Sequence, residues 1–98
     1  MNKTEAEYAG MLELRKRAGE IREYHFEAVK LRLGDAGRRL HYTPDFLVVS
    51  AAGRLESHEV KGGFVRDDAR AKFEAARRMY GGFGWVMAQK ANGEWNYR

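Results

Sequence analysis

Two short stretches set charged side chains where a strand would by default carry apolar ones. Tyr42-Thr43-Pro44-Asp45-Phe46-Leu47-Val48-Val49 puts a Pro-Asp at the mouth of an apolar run. His58-Glu59-Val60-Lys61-Gly62-Gly63 closes another strand with an acid, a lysine and a glycine pair. Two carboxylates and a lysine suit hydrolysis of a phosphodiester. That reaction needs an activated water, stabilised charge on the phosphate and help for the leaving oxygen, and a divalent ion held by carboxylates can supply all three. Asp45 and Glu59 are the expected ligands, with the carbonyl of Val60 as a further one. Lys61 is suited to orienting the water or neutralising developing charge. Gly62 leaves room for DNA to approach the strand end.

Composition narrows the metal. The chain has no Cys, which removes disulfides, thiol nucleophiles and cysteine-ligated zinc together. Its three histidines, His25, His41 and His58, stand at no metalloprotease spacing. Hard carboxylate oxygens favour Mg²⁺, with Mn²⁺ able to substitute. The 98 residues suit one domain over 1–98, 33% of them charged, with a formal net charge of +4 that fits a polyanionic partner such as DNA. No run of about 18 apolar residues is present, so no membrane span is expected. Met1–Glu5 lack the apolar stretch of a signal peptide, which gives the expectation of a cytoplasmic protein.

The elements that must position these residues follow from periodicity. Thr4 to Ala18 reads as a helix with Tyr8, Met11 and Leu12 on one stripe, cations in its last turn and Gly19 as the residue after its C-cap. Asn2 with Glu5 three residues on resembles a capping box. Glu5 also shares the stripe of Tyr8 and Leu12, so it is either a cap or a site residue, and the helix alone favours the cap. Tyr24 to Leu33 reads as a strand, Gly34 to Gly37 as a turn, Arg38 to Val49 as a second strand and Leu55 to Lys61 as a third. Pro44 marks an edge, a bulge or a strand start. Asp67-Asp68 opens a second helix running to about Tyr80 on a stripe of Ala69, Phe73, Ala76 and Tyr80. Phe83 to Gln89 is then a buried strand, and Asn92-Gly93 turns into Glu94 to Tyr97.

Register can be read from the second turn. If Ala51-Ala52-Gly53 form a three-residue loop with Gly53 in the left-handed region, Ser50 lies opposite Arg54. Counting outward sets Asp45 opposite Glu59, with Lys61 one step further on the same face. Like charges paired across a sheet repel, and a cation between them would relieve that.

Pro44-Asp45, then Glu59-Val60-Lys61 beginning 14 residues after Asp45, resembles the signature of the PD-(D/E)XK nucleases. The order helix, three strands, helix, strand is similar to that superfamily's αβββαβ core. The resemblance implies an α/β, restriction-endonuclease-like fold with a mixed four- to five-stranded sheet flanked by two helices. The start of the first helix, Asn2 to Tyr8, resembles the motif in which many members place a further metal-ligating glutamate, and Glu5 is the matching position. Glu-Ala-Glu-Tyr, Arg-Ala-Gly-Glu-Ile, Tyr-Thr-Pro-Asp-Phe and Glu-Val-Lys-Gly are similar to the small phage-borne branch. That branch is similar to phage endonuclease I, which resolves branched DNA, and to transposon-end nucleases. The resemblance implies a Mg²⁺-dependent endonuclease acting on branched or structured DNA, with Glu5, Asp45, Glu59 and Lys61 catalytic. Members often carry Ser where Asn2 stands here, and a Gln-Pro pair where Glu27-Ala28 stands.

Other residues draw weaker expectations. His41, Arg66, Arg70 and Lys72 lie near the site in sequence and suit phosphate contact, while Arg15 to Arg17 suit a solvated helix end equally well. His58 falls on the strand face opposite Glu59, as a surface or core-edge residue rather than a ligand. Trp85 and Trp95 suit core and lid more than base stacking. One site cuts one strand, so two symmetric cuts suggest a homodimer. The competing expectation is a non-catalytic DNA-binding or assembly module that keeps the fold. An RNase or a sequence-specific restriction enzyme fits less well, since so short a chain has little room for a target-recognition insert.

Overall fold

In the computed structural model, residues 1–34, 40–63 and 67–98 are described. The elements run α1 (Lys3–Arg17), β1 (Ile21–Phe26), β2 (Leu31–Gly34), β3 (Leu40–Tyr42), β4 (Phe46–Ser50), β5 (Leu55–Gly62), α2 (Asp67–Met79), β6 (Gly84–Ala91) and β7 (Glu94–Tyr97). The fold is α/β, with a mixed five-stranded sheet of order β1-β4-β5-β6-β7 and a separate β2–β3 pair. β5 and β6 are parallel, joined through α2, and the other neighbours in the large sheet are antiparallel.

Local chemistry sets the ends of α1. Asn2 and Glu5 form the reciprocal capping box, each side chain accepting the other's main-chain N–H at 2.8 Å. At the other end Gly19 takes φ +79°, and Gly19 and Glu20 donate to the carbonyls of Lys16 and Arg15. That is a Schellman closure, which a glycine after the cap favours. The Asn92-Gly93 turn has both residues at positive φ, as a two-residue hairpin of this hand requires.

α1 and α2 cover opposite faces of the large sheet. Tyr8 and Leu12 pack with Ile21, Phe46, Val48, Val60 and Ala88, whereas Phe73 and Ala76 pack with Met87, Leu31 and Tyr42. Met87 and its neighbour Ala88 thus serve the two cores in turn, as the two-residue period of a strand dictates. Each fully buried Phe or Leu of these clusters contributes about 1.5–3 kcal/mol relative to an exposed one.

Two expected strands are each divided. Tyr24 to Leu33 becomes β1 and β2, because Glu27 adopts φ +47° and turns the chain out of the large sheet. Glu27 also donates its N–H to the Asp45 carbonyl at 2.9 Å, so the exit bend is tied to the start of β4. Arg38 to Val49 becomes β3 and β4, separated at Thr43-Pro44, where proline has no N–H to continue a ladder. Pro44 is fully buried and marks a strand start. The β2–β3 pair leans on α2 instead, where Leu31 and Tyr42 find apolar partners. Residues 35–37 of the expected first turn, and Arg38 and Arg39 of the expected second strand, lie outside the described residues.

The β4–β5 hairpin has the expected register. Ser50 donates to the Arg54 carbonyl, Gly53 has φ +84°, and Phe46 lies opposite His58. Among the described residues no helix is long and apolar enough to cross a membrane.

Gly62 ends β5 under the first turn of α1. A Cβ placed there would meet Thr4 Oγ1 at 2.9 Å and Thr4 Cγ2 at 3.4 Å. Glycine therefore lets helix and strand end approach each other. Gly62→Ala should cost about 1–3 kcal/mol from overpacking. In a Thr4→Ala background the same change should cost much less, a coupling measurable by thermal unfolding of the four proteins.

Candidate metal-binding and catalytic site

The site forms where the β4–β5 ladder opens. Hydrogen-bonded pairs alternate along an antiparallel ladder, and Ser50 with Arg54 is one of them. The same alternation would next join residues 44 and 60, but β4 pairing stops at Phe46 and position 44 is proline. The Val60 N–H is taken instead by Asp45 Oδ2 at 2.8 Å. In an extended strand a residue's N–H and C=O leave on the same edge, so the Val60 carbonyl also leaves toward Asp45.

One step beyond the last pair, the register sets Asp45 against Glu59 on the face that α2 covers. Glu59 is 9% exposed. Its Oε1 accepts the Tyr42 hydroxyl at 2.5 Å, and its Oε2 lies 3.1 Å from Lys61 Nζ. Lys61 is half-buried on the same face, two residues along β5. Burial and the facing Glu59 charge push the Asp45 carboxyl up to about 7, with the Glu5 charge adding and the Val60 N–H and Lys61 opposing. Burial and the Glu59 charge also raise the Tyr42 hydroxyl, which stays a donor.

Asp45, Glu59, Val60 and Lys61 therefore meet as the register required. Glu5 lies within electrostatic reach of Asp45, but its carboxylate is engaged as the α1 cap. Among the described residues no group of three or more His, Asp or Glu side chains is gathered to hold an ion. The donor set still suits a hard divalent cation. Asp45 and Glu59 supply carboxylate oxygens at one strand mouth, and the Glu59 charge adds to burial in raising the Asp45 pKa.

A cavity of about 390 Å³ opens beside Glu59, lined by Lys30, His41, Tyr42, Thr43, Ala69 and Lys72. His41 and Lys72 thus reach the site. Arg70, two residues from Lys72, instead lines a separate cleft with Phe73, Trp85 and Met87. Arg66 lies outside the described residues.

No family model, no curated protein and no solved structure matches this chain.

His58 departs from the surface or core-edge position expected of it. It is 2% exposed, on the face opposite Glu59, between Tyr8 and Glu56. Glu56 can only accept, so His58 Nε2–H donates to it at 3.0 Å, and burial, which lowers the histidine pKa, keeps the ring neutral. Nδ1 then accepts the Tyr8 hydroxyl at 2.6 Å. This links α1 to β5 behind the site. Trp85 and Trp95 pack in the two cores, Trp95 with its ring 5.1 Å from Tyr8.

Tyr42 and Lys30 are the site residues that sequence reasoning missed. Lys30 carried no signal. Tyr42 stood at the head of the Pro-Asp stretch, and a tyrosine in a buried strand needs a partner for its hydroxyl.

The Asp45 pKa has a consequence for stability in the absence of metal. The unfolded chain releases this proton near pH 3.9, the native chain only near 7. Between these values the native state binds more protons, so the Asp45 contribution to stability falls as pH rises from about 4 to about 7. Asp45→Asn keeps an oxygen for the Val60 N–H and removes the charge. In EDTA it should exceed the wild type by at least about 1 kcal/mol above pH 7, with the gap closing toward pH 4. Thermal unfolding across that range checks it.

Proposed function

We propose that this chain is a Mg²⁺-dependent endodeoxyribonuclease with a restriction-endonuclease-like core, cutting branched or otherwise structured DNA. The observation that carries the reading is Asp45 and Glu59 facing each other at an open strand mouth, with Lys61 beside Glu59. The element order and the Asp-to-Glu-x-Lys spacing support it as well. Asp45, Glu59 and the Val60 carbonyl would hold the cation, with Glu5 joining if its cap opens. Bound there, the cation supplies charge neutralisation on the scissile phosphate and lowers the pKa of water.

The chain's own residues do the rest. Lys61, beside Glu59, would orient water against the phosphate and balance charge in the transition state. His41 and Lys72 line the cavity on the Glu59 side and suit the flanking phosphates. Gly62, expected to leave room for DNA, instead leaves room for Thr4 of α1, so its missing side chain serves packing behind the site. Arg70, which lines a separate cleft, is left out of this contact set. A homodimer in the cytoplasm, the host's if the gene is carried by a phage, would pair two such sites for two cuts.

A second reading is a non-catalytic DNA-binding module. The Glu5 cap and the Glu59–Lys61 ion pair favour it, since each satisfies a site residue without metal. Incubation with labelled junction, flap and linear DNA decides between them. With Mg²⁺ or Mn²⁺ the wild type should cut at least one substrate, while Asp45→Asn and Lys61→Ala should abolish cutting and retain binding. Absence of cleavage on every substrate rejects the nuclease, and normal cutting by both variants rejects the site. Light scattering with and without DNA should show a dimer.

A further inference from the structure

The hydrogen bond from Tyr42 to Glu59 joins residues 17 apart, on strands of different sheets. The phenol ring is held firmly. It is 5% exposed, packs edge-on against Phe73 at 6.3 Å and lies 5.9 Å from Trp85. Its backbone pairs with Leu31 in the β2–β3 ladder. The hydroxyl therefore reaches Glu59 from a strand outside the large sheet.

A glutamate carboxylate turns easily about its last torsion, which is broad and roughly two-fold. Here the two oxygens are made unequal: Oε1 is held by Tyr42 at 2.5 Å, and Oε2 is turned to the Lys61 amine at 3.1 Å. An ionised carboxylate has about four lone-pair sites, so Oε1 can keep this donor while Oε2 meets a cation. We propose that Tyr42 is a positioning residue for the metal site: it locks the rotation of the Glu59 carboxylate and presents Oε2 to the cation and to Lys61. This rests on the nuclease reading above. Tyr42 is assigned no contact with substrate or metal. Its effect passes through Glu59, as outer-shell donors act on metal ligands.

Tyr42→Phe separates the hydroxyl from the ring, because phenylalanine keeps the packing against Phe73 and Trp85. Mn²⁺ is titrated calorimetrically into the metal-free, full-length chain without DNA, and cleavage is followed against Mg²⁺ concentration. The variant should bind Mn²⁺ about 10–100-fold more weakly and need correspondingly more Mg²⁺ for half-maximal cutting. The rate at saturating Mg²⁺ should change far less. Replacing Tyr42 with p-aminophenylalanine, which restores a donor at the same point of the ring, should recover wild-type affinity, a result that ring packing alone does not produce. Wild-type Mn²⁺ affinity in Tyr42→Phe, or no recovery with the amino analogue, overturns the role of Tyr42 and leaves the nuclease standing. A wild type that neither binds Mn²⁺ nor cuts overturns both.

Discussion

Everything at the site depends on two carboxylates facing each other where a ladder runs out of hydrogen bonds. β4 pairs with β5 as far as Phe46; beyond it the Val60 N–H is taken by the Asp45 side chain, and Pro44 has no N–H to offer the Val60 carbonyl. That bond holds Asp45 in place, and the register holds Glu59 against it. The cost is burial together with the facing Glu59 charge, seen as a carboxyl raised to about 7. Lys61 offsets only part of it, since its ammonium pairs with Glu59. A strand mouth built to hold repelling acids is hard to explain by packing, which would favour apolar residues at both positions.

The two faces of the sheet divide the work. Behind it, α1 packs on an apolar cluster and is joined to β5 through Tyr8 and His58, a neutral and fully partnered polar link. In front, α2 and the β2–β3 pair form a second core that reaches the site through Tyr42. Glu59 follows His58 in the chain, so successive residues of β5 serve structure on one face and the site on the other. A change in either core would therefore be felt at the strand mouth, through α1 against Gly62 or through Tyr42 against Glu59.

Much of this was legible in the sequence, because it depends on neighbours along the chain. The Asn2–Glu5 box, the Gly19 closure, the Asn92-Gly93 turn and the stripe of Phe73 and Ala76 are local matters of cap chemistry, left-handed backbone and period. The position of Asp45 opposite Glu59 was also readable, since a short loop closed by Gly53 leaves one register. The identity and spacing of Asp45, Glu59 and Lys61, and with them the candidate chemistry, belong to the sequence by itself.

Tertiary structure decided what happens between distant residues. Strand propensity runs through Tyr24 to Leu33 and Arg38 to Val49, and only the pull of a second core under α2, with the bends at Glu27 and Pro44, divides each into two strands. Tyr42 meets Glu59 because that division carries β3 across the front of the sheet. His58 meets Tyr8 across 50 residues because α1 crosses behind it. Arg70 and Lys72, near neighbours in sequence, line different clefts. Pattern along a chain fixes which face of its own element a residue takes, whereas packing of the elements chooses the partner that face meets.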